Sequence, residues 1–197
     1  TFPTSIYDRK GKISYYTLWF DNGSDYWVEA KRRYVDPNTG YVGFVNSAHK
    51  ITIPAQWEFA TPFNYGYAEV AQGFKKQYAP GGEHWSLVPD ATKTAIKAVI
   101  NARGELVKGS STRQSKDDYL LDSLYYPNPF TYSPEEQKIV DKVNKYKLLK
   151  QLQIMNHYRD DSLSYKDYNY HIIDYPSPEA PYYTLQAYFG QALDHEV

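Results

Sequence analysis

The chain has 197 residues, with 22 basic and 23 acidic side chains and a formal net charge of −1. That balance argues against nucleic acid as a general partner, because phosphate binding draws on a basic excess or a basic stripe. There are no cysteines, which excludes disulfides, thiolate chemistry and Cys-based zinc sites, and no apolar run approaches the ~20 residues that a bilayer span needs.

Of the aromatic residues, 22 are Tyr. Tyrosine suits half-buried strand faces, where the ring packs and the hydroxyl reaches water, so the composition favours β structure. The only methionine is Met155, and the sequence opens Thr1-Phe2-Pro3-Thr4. A removed export signal accounts for that opening, and so does a shortened chain. Export is the preferred expectation, periplasmic or secreted, with a cytoplasmic location left open.

One pattern recurs along the first half: Ile6-Tyr7-Asp8-Arg9-Lys10-Gly11-Lys12-Ile13, then Phe44-Val45-Asn46-Ser47-Ala48-His49-Lys50-Ile51, then Val99-Ile100-Asn101-Ala102-Arg103-Gly104-Glu105-Leu106. Each copy has two apolar residues, an Asp or Asn, two spacers, a turn residue, a charge and an apolar residue. This is strand–turn–strand chemistry: Asp or Asn caps the turn and Gly supplies a positive φ. In the second copy His49 takes the glycine position, and His enters the left-handed region less readily. A second element, Phe20-Asp21-Asn22-Gly23 followed by Tyr26-Trp27-Val28, pairs by pattern with Phe63-Asn64-Tyr65-Gly66 followed by Tyr67-Ala68-Glu69-Val70.

The stretch Gly43-Phe44-Val45-Asn46, continued by Lys50-Ile51-Thr52-Ile53-Pro54-Ala55-Gln56-Trp57-Glu58-Phe59-Ala60-Thr61-Pro62-Phe63-Asn64-Tyr65-Gly66-Tyr67-Ala68-Glu69-Val70, resembles one complete repeat of the bacterial WG-repeat family. That pattern runs Gly-aromatic-apolar-Asp, a Gly-Lys turn, apolar-Ile-Pro, an aromatic, Ala, Phe, Gly, Ala and Val. The resemblance covers about residues 1–108 and is best over 41–70. It departs from the pattern at Val42, where the family has Trp, and at Ala98, where Gly is expected. It implies tandem β-hairpin units in a bacterial protein, usually without assigned activity, and brings no catalytic residues.

In chain order, alternation predicts a strand over 26–35 with Tyr26, Val28 and Ala30 on one face and Trp27, Glu29 and Lys31 on the other, so that Trp27 is exposed. The pairs Arg32–Arg33 and Lys75–Lys76 read as ordinary solvated surface. Asp36-Pro37-Asn38-Thr39-Gly40 should turn the chain into a strand over 41–46. Ile51-Thr52-Ile53 alternates, and Pro54 ends that strand or lies on an edge. Trp57 is expected in the core. The longer spacing before the third copy fits an insertion around Gly73–Pro89, which contains Glu83-His84-Trp85. Loops mark 109–112 and 127–129. Ser133-Pro134-Glu135-Glu136 supplies an N-cap, a first-turn proline and a capping-box glutamate, predicting a helix to about Asn156 with Ile139, Val143, Tyr146, Leu149 and Leu152 on its apolar stripe. Strands over 168–175 and 182–189 close the chain, joined by Pro176-Ser177-Pro178-Glu179-Ala180-Pro181, a stiff connector or a Pro-rich recognition segment.

The chemical constellations are weak. Ser47-x-x-Lys50 sits in a β-turn, away from the helix start that serine acyl-enzymes use. Asp36-x-Asn38-x-Gly40 opens like a calcium loop, but the twelfth position is Ser47 instead of Glu. Asp117–Asp118 and Asp160–Asp161 are adjacent pairs, not two carboxyls facing across a cleft. The histidines lack zinc-ligand spacing. The expectation is therefore a mainly β protein: degenerate β-hairpin repeats over 1–108, in a small solenoid or elongated sheet, with a helix and a Tyr-rich hairpin over 109–197 packed on them. No catalytic, metal or cofactor residues are assigned. The expected function is a protein-interaction or scaffold module, with a carbohydrate-binding module using exposed Trp and Tyr as the alternative and an enzyme built around Glu83 and His84 as the least favoured. The candidate partner or ligand surface is Trp27, Glu83, His84 and Trp85.

Overall fold

The computed structural model describes residues 4–20, 23–82, 85–158, 168–178 and 180–189, without the side chains at 20, 147–158, 168 and 189. The chain divides into two units, residues 1–108 and 109–197. The first is all strand: β1 (Ser5–Tyr7), β2 (Ile13–Thr17), β3 (Trp19–Phe20), β4 (Gly23–Ser24), β5 (Lys31–Val35), β6 (Val42–Asn46), β7 (Ile51–Trp57), β8 (Phe59–Ala60), β9 (Tyr67–Gln72), β10 (Phe74–Tyr78), β11 (Trp85–Pro89), β12 (Ile96–Asn101) and β13 (Leu106–Val107).

Three turns of one construction organise this unit. Asp8 Oδ1 accepts the N–H groups of Lys10 and Lys12 at 2.8 and 2.9 Å. Asn46 Oδ1 accepts those of Ala48 and Lys50 at 3.1 and 3.0 Å, and Asn101 Oδ1 those of Arg103 and Glu105 at 2.9 and 3.1 Å. The backbone closes each turn alike, with Asp8, Asn46 and Asn101 donating to the carbonyls of Lys12, Lys50 and Glu105. The fourth residue turns left-handed in every copy: Gly11 at φ +75°, His49 at +59° and Gly104 at +81°. The capped-turn expectation holds at all three places, and His49 occupies the glycine conformation at a steric cost of roughly 1–2 kcal/mol.

A second pair of turns links the hairpins. Asn64 and Tyr67 exchange backbone hydrogen bonds around Tyr65 (φ +50°) and Gly66 (+76°), and Val28 and Lys31 do so around Glu29 (+49°) and Ala30 (+56°). Both central residues have positive φ, the two-residue geometry that matches the twist of the flanking strands. This corrects the repeat alignment drawn from sequence. The turn that shares the Asn64–Tyr67 geometry is Val28–Lys31, which sequence did not reveal because Glu29–Ala30 carries neither Gly nor Asn, while Phe20 and Gly23 pair as β3 and β4. The strand predicted over 26–35 accordingly begins only at Lys31.

Five strands form one antiparallel sheet in the order β1-β2-β5-β6-β7, and four form another in the order β13-β12-β9-β8. Pro54 lies inside β7, tolerated because β7 is a sheet edge. The main core gathers Val42, Phe44, Ile53 and Trp57 of the first sheet with Ala60, Ala68, Val70 and Ile100 of the second, and Phe63 packs edge-on to Phe44 at 4.7 Å. On the opposite face of β6, Val45 packs with Tyr15 and Tyr34. Gly43 stands between them on that face because a Cβ there would lie 2.6 Å from the Tyr34 ring and from the backbone of Ile53 and Ala55. The missing side chain lets the Tyr34 hydroxyl cross β6 and accept the Ala55 N–H at 2.9 Å.

The core also contains an ion pair. Arg33 sits directly opposite Phe44 and therefore on the core face. Its Nε and Nη2 donate to the two Asp25 carboxylate oxygens at 2.8 and 2.5 Å, its backbone N–H to Oδ2 at 3.1 Å, and its Nη1 to the Ala60 carbonyl of the other sheet at 2.8 Å. Both side chains are buried. The expectation that Arg32–Arg33 is solvated surface fails here: strand alternation turns one of two neighbouring arginines inward, and the carboxylate waiting there makes burial tolerable. Glu29 is buried as well, instead of lying beside Trp27 on an exposed face. Its Oε2 accepts the Gly66 N–H at 2.9 Å and so joins the two linking turns.

The second unit holds β14 (Tyr119–Leu121), β15 (Leu124–Tyr126), α1 (Pro134–Tyr158), β16 (Tyr168–Asp174) and β17 (Thr184–Phe189). The hairpin β14–β15 turns on Asp122 and Ser123, both at positive φ, a two-residue turn too short to recognise in the sequence. The capping box forms as expected: Glu136 N–H donates to Ser133 Oγ at 3.3 Å, and Ser133 N–H to Glu136 Oε2 at 2.8 Å. The predicted stripe is rotated. Val140 is buried, Ile139 and Val143 are half-buried, and Tyr146 is exposed. Asn144 sets that rotation by accepting the Tyr170 N–H at 2.8 Å and donating to its carbonyl at 3.1 Å, which turns the Asn144 side of the helix to β16. Leu149 and Leu152 have side chains outside the described set. The proline-rich connector is a hairpin end, with Ser177 and Ala180 exchanging backbone hydrogen bonds. Among the described residues the chain is thus mainly β with a single helix, as expected.

Replacing Arg33 with Met should unfold the protein more easily by about 3–5 kcal/mol, because Asp25 is left buried and unpaired. The Arg33→Met/Asp25→Leu double variant should recover much of that loss. Urea midpoints of the three proteins, at constant m-value, check both statements.

Candidate binding site

Trp27 precedes the Val28–Lys31 turn and is 43% exposed, but strand alternation is not the reason, since it lies outside β5 and Tyr26 is exposed as well. One face of its ring is covered: the Arg32 guanidinium lies 4.4 Å from the ring centroid, and His49 meets the ring edge-on at 5.8 Å. His49 Nδ1 is 2.7 Å from the Tyr15 hydroxyl. Burial pushes the Tyr15 phenol pKa up, while the neighbouring Arg32 guanidinium pulls the other way. His49 thus uses the strained position that glycine holds in the other two turns to bring an imidazole between Tyr15 of one repeat and Trp27. The polar contact between rings of the cluster is the Tyr15–His49 hydrogen bond. The cluster clamps the β6–β7 turn to the loop before β5, and its ring contacts offset the cost of the left-handed His49.

The inserted segment has a different character. Gln72 and Ile96 are the last pair of the β9–β12 ladder, so residues 73–95 stand where residues 37–40 close the equivalent β5–β6 hairpin. Gly73 begins the excursion at φ +74°, so close to Thr94 that a Cβ would lie 2.1 Å from its carbonyl oxygen. Glu58 anchors the base: Oε2 accepts the Phe74 N–H at 2.9 Å, and Oε1 pairs with Lys93. The Lys93 ammonium and the bonded amides hold the Glu58 carboxyl below the usual glutamate range.

From this base β10 and β11 pair in register, Phe74 with Pro89, Lys76 with Leu87 and Tyr78 with Trp85. Directly opposed residues share a face, so one side of the hairpin carries Phe74, Lys76, Tyr78, Trp85, Leu87 and Pro89. Trp85 meets Phe59 of β8 edge-on at 6.0 Å, with the Lys76 ammonium 4.2 Å from its ring centroid. The Lys97 ammonium of β12 sits 5.6 Å from the Phe74 ring. Towards the tip the rings come free: Tyr78 is 58% exposed and Trp85 39%. Here Gln77, Tyr78, Ala79, Pro80, Trp85 and Ser86 line an open groove of about 420 Å³.

Of the four residues proposed from sequence, Trp27 and Trp85 are therefore placed at two distinct clusters, and Glu83 and His84 lie outside the described residues. Tyr78 was missed. The signal for it was the two-residue offset from Lys76 on a hairpin strand, legible only once the register with Trp85 was known.

The second unit has an aromatic cluster that the sequence did not suggest. Phe130 stacks on His171 at 4.1 Å with an interplanar angle of 13° and lies 5.1 Å from Tyr188. The Tyr132 hydroxyl is 3.0 Å from His171 Nδ1 and accepts the Ile172 N–H at 3.2 Å. Burial pushes the Tyr132 pKa far above the usual tyrosine value, so the phenol stays protonated and serves as a hydrogen-bonding brace, not a base.

Among the described residues no group of three or more His, Asp or Glu side chains could hold a metal ion, and no helix is long and apolar enough to cross a membrane. Neither a family model, a curated protein nor a solved structure matches the chain.

The Glu58 anchor yields a pH dependence with a fixed sign. A carboxylate whose pKa is lower folded than unfolded stabilises the structure fully above the unfolded value, ~4.3, and loses that contribution as pH falls through the folded value. The Phe74 amide resonance should therefore titrate with a midpoint below ~4.3, and Lys93→Met should move that midpoint upward. A midpoint unmoved by Lys93→Met would contradict the assignment.

Proposed function

We propose that this chain is a non-catalytic interaction module whose repeats serve as the scaffold and whose inserted hairpin β10–β11 is the working surface. The observation that carries this reading is the exposed Tyr78–Trp85 pair at the end of a segment that the repeat plan does not require. The open groove lined by the pair, with Ala79 and Pro80, provides a contact where an apolar anchor can be buried. The charged groups buried elsewhere have structural tasks: Asp25 and Arg33 bridge the sheets, and Glu29 ties two turns. A bacterial origin accompanies this proposal on the strength of the WG-repeat resemblance, and a periplasmic or secreted location is proposed with it.

Carbohydrate binding is the second reading. Gln77 and Ser86, which line the same groove, favour it, since a sugar site combines stacking faces with hydrogen-bonding side chains. Against it, each of the two Trp rings singled out from sequence has a cation over one face, Arg32 on Trp27 and Lys76 on Trp85. Neither of these two rings therefore offers both faces to a sugar.

Displayed random peptides selected on the whole protein separate the readings when run beside a glycan array. The proposal expects enriched peptides whose calorimetric affinity falls at least tenfold, roughly the loss of one well-packed aromatic anchor, in Tyr78→Ala and in Trp85→Ala but not in Trp27→Ala. Glycan signals lost in Trp85→Ala, with no enriched peptide, would replace it with the sugar reading. Peptides indifferent to both hairpin substitutions would refute the assignment of the surface.

A further inference from the structure

Resting on that reading, we propose that the hairpin surface takes an acidic peptide, its carboxylates meeting Lys76 and Lys97 and an apolar or aromatic residue entering the groove between Tyr78, Pro80 and Trp85.

The argument starts from two ammonium groups held over rings. Lys76 lies on Trp85 and Lys97 on Phe74, and the two rings share one face of the hairpin. Neither lysine has a carboxylate within ion-pair distance among the described residues. The two acidic groups at the base are already engaged. Glu58 holds the Phe74 N–H and Lys93, and Asp90 holds the Thr92 N–H and hydroxyl at 3.0 and 2.7 Å.

A lysine free in water must surrender its rotamer freedom to pair with an anion. Lys76 and Lys97 have part of that ordering done already, because the ring quadrupoles hold their ammonium groups in place. A ring satisfies none of the three N–H donors of an ammonium group, so an incoming carboxylate adds to the existing contact instead of competing with it. Preorganised cations on the ring face whose Trp85 also lines the groove thus complement a ligand that combines negative charge with an apolar anchor. A basic peptide would face repulsion here, and a neutral one would leave both ammonium groups unused.

The test titrates the whole protein with two fluorescein-labelled probes, a Glu-Tyr alternating peptide and its Gln-Tyr counterpart, and with an oligoglucuronate as a non-peptide polyanion. The expected result is that the Glu-Tyr peptide binds at least tenfold more tightly than the Gln-Tyr peptide. Its affinity should drop as salt rises and drop at least tenfold in Lys76→Glu/Lys97→Glu. That double variant should gain affinity for a Lys-Tyr peptide, which shows that it remains folded. Equal binding of the Glu-Tyr and Gln-Tyr peptides, lost in Trp85→Ala, would overturn the charge inference and leave the interaction surface standing. Binding of the oligoglucuronate without either peptide would overturn both in favour of an acidic glycan, and binding of no probe would overturn both outright.

Discussion

Arg33 is the residue on which the arrangement of the first unit turns. Its guanidinium binds both oxygens of Asp25 and the Ala60 carbonyl, so one side chain joins the loop before β5, the five-stranded sheet and the edge of the four-stranded sheet. A buried ion pair is no gain in stability over well-packed apolar residues, because desolvation offsets most of the attraction. What it adds is specificity. Any shift of register in β5 by one residue would turn Arg33 to solvent and Arg32 into the core, leaving Asp25 without its partner. The pair makes that alternative expensive.

Around this constraint the unit is built from two kinds of turn used repeatedly. The Asp- or Asn-capped turns close the first hairpin of each repeat, and the positive-φ turns at Glu29–Ala30 and Tyr65–Gly66 close the second. Glu29 connects the latter two directly through the Gly66 amide. Each repeat therefore contacts its neighbour through backbone as well as through the shared core. A framework specified so locally accepts an insertion at one turn, since the ladder on either side is determined by its own pairs. Residues 73–95 exploit that tolerance, and the anchoring of their base by Gly73 and Glu58 shows a built excursion with a fixed root, not an arbitrary loop.

Much of this was legible in the sequence, for reasons that can be named. The capped turns were readable because Asp8, Asn46 and Asn101 act on amides two and four residues away, within one local motif. The helix start was readable because a capping box lies within four residues. An insertion was readable from spacing alone, but its folding into the β10–β11 hairpin was not. Other features depend on contacts distant along the chain. Arg33 looked like half of a surface pair until Asp25 and Ala60 were seen to meet it, and Glu29 looked exposed until a turn replaced the predicted strand. Tyr146 seemed part of the helix stripe, but the two hydrogen bonds from Asn144 to Tyr170 decide which side of α1 faces β16. At the candidate site Trp85 was visible as an aromatic in an insertion. Tyr78, the groove and the two ring-held lysines were not, because they follow from the β10–β11 register and from the approach of β8 and β12.

The account divides this unit into a scaffold and a working hairpin, and one exchange tests that division directly. Residues 73–95 are replaced by the sequence Pro-Asn-Thr-Gly of residues 37–40, which closes the equivalent β5–β6 hairpin, and the backbone amide spectrum is compared with that of the parent protein before and after adding a peptide that the parent binds. The predicted result is that the resonances of β5, β6, β9 and β12 keep their strand shifts while peptide binding disappears. A variant that loses its sheet signals, or one that still binds the peptide, would contradict the claim that the repeats fold without the hairpin and bind through it.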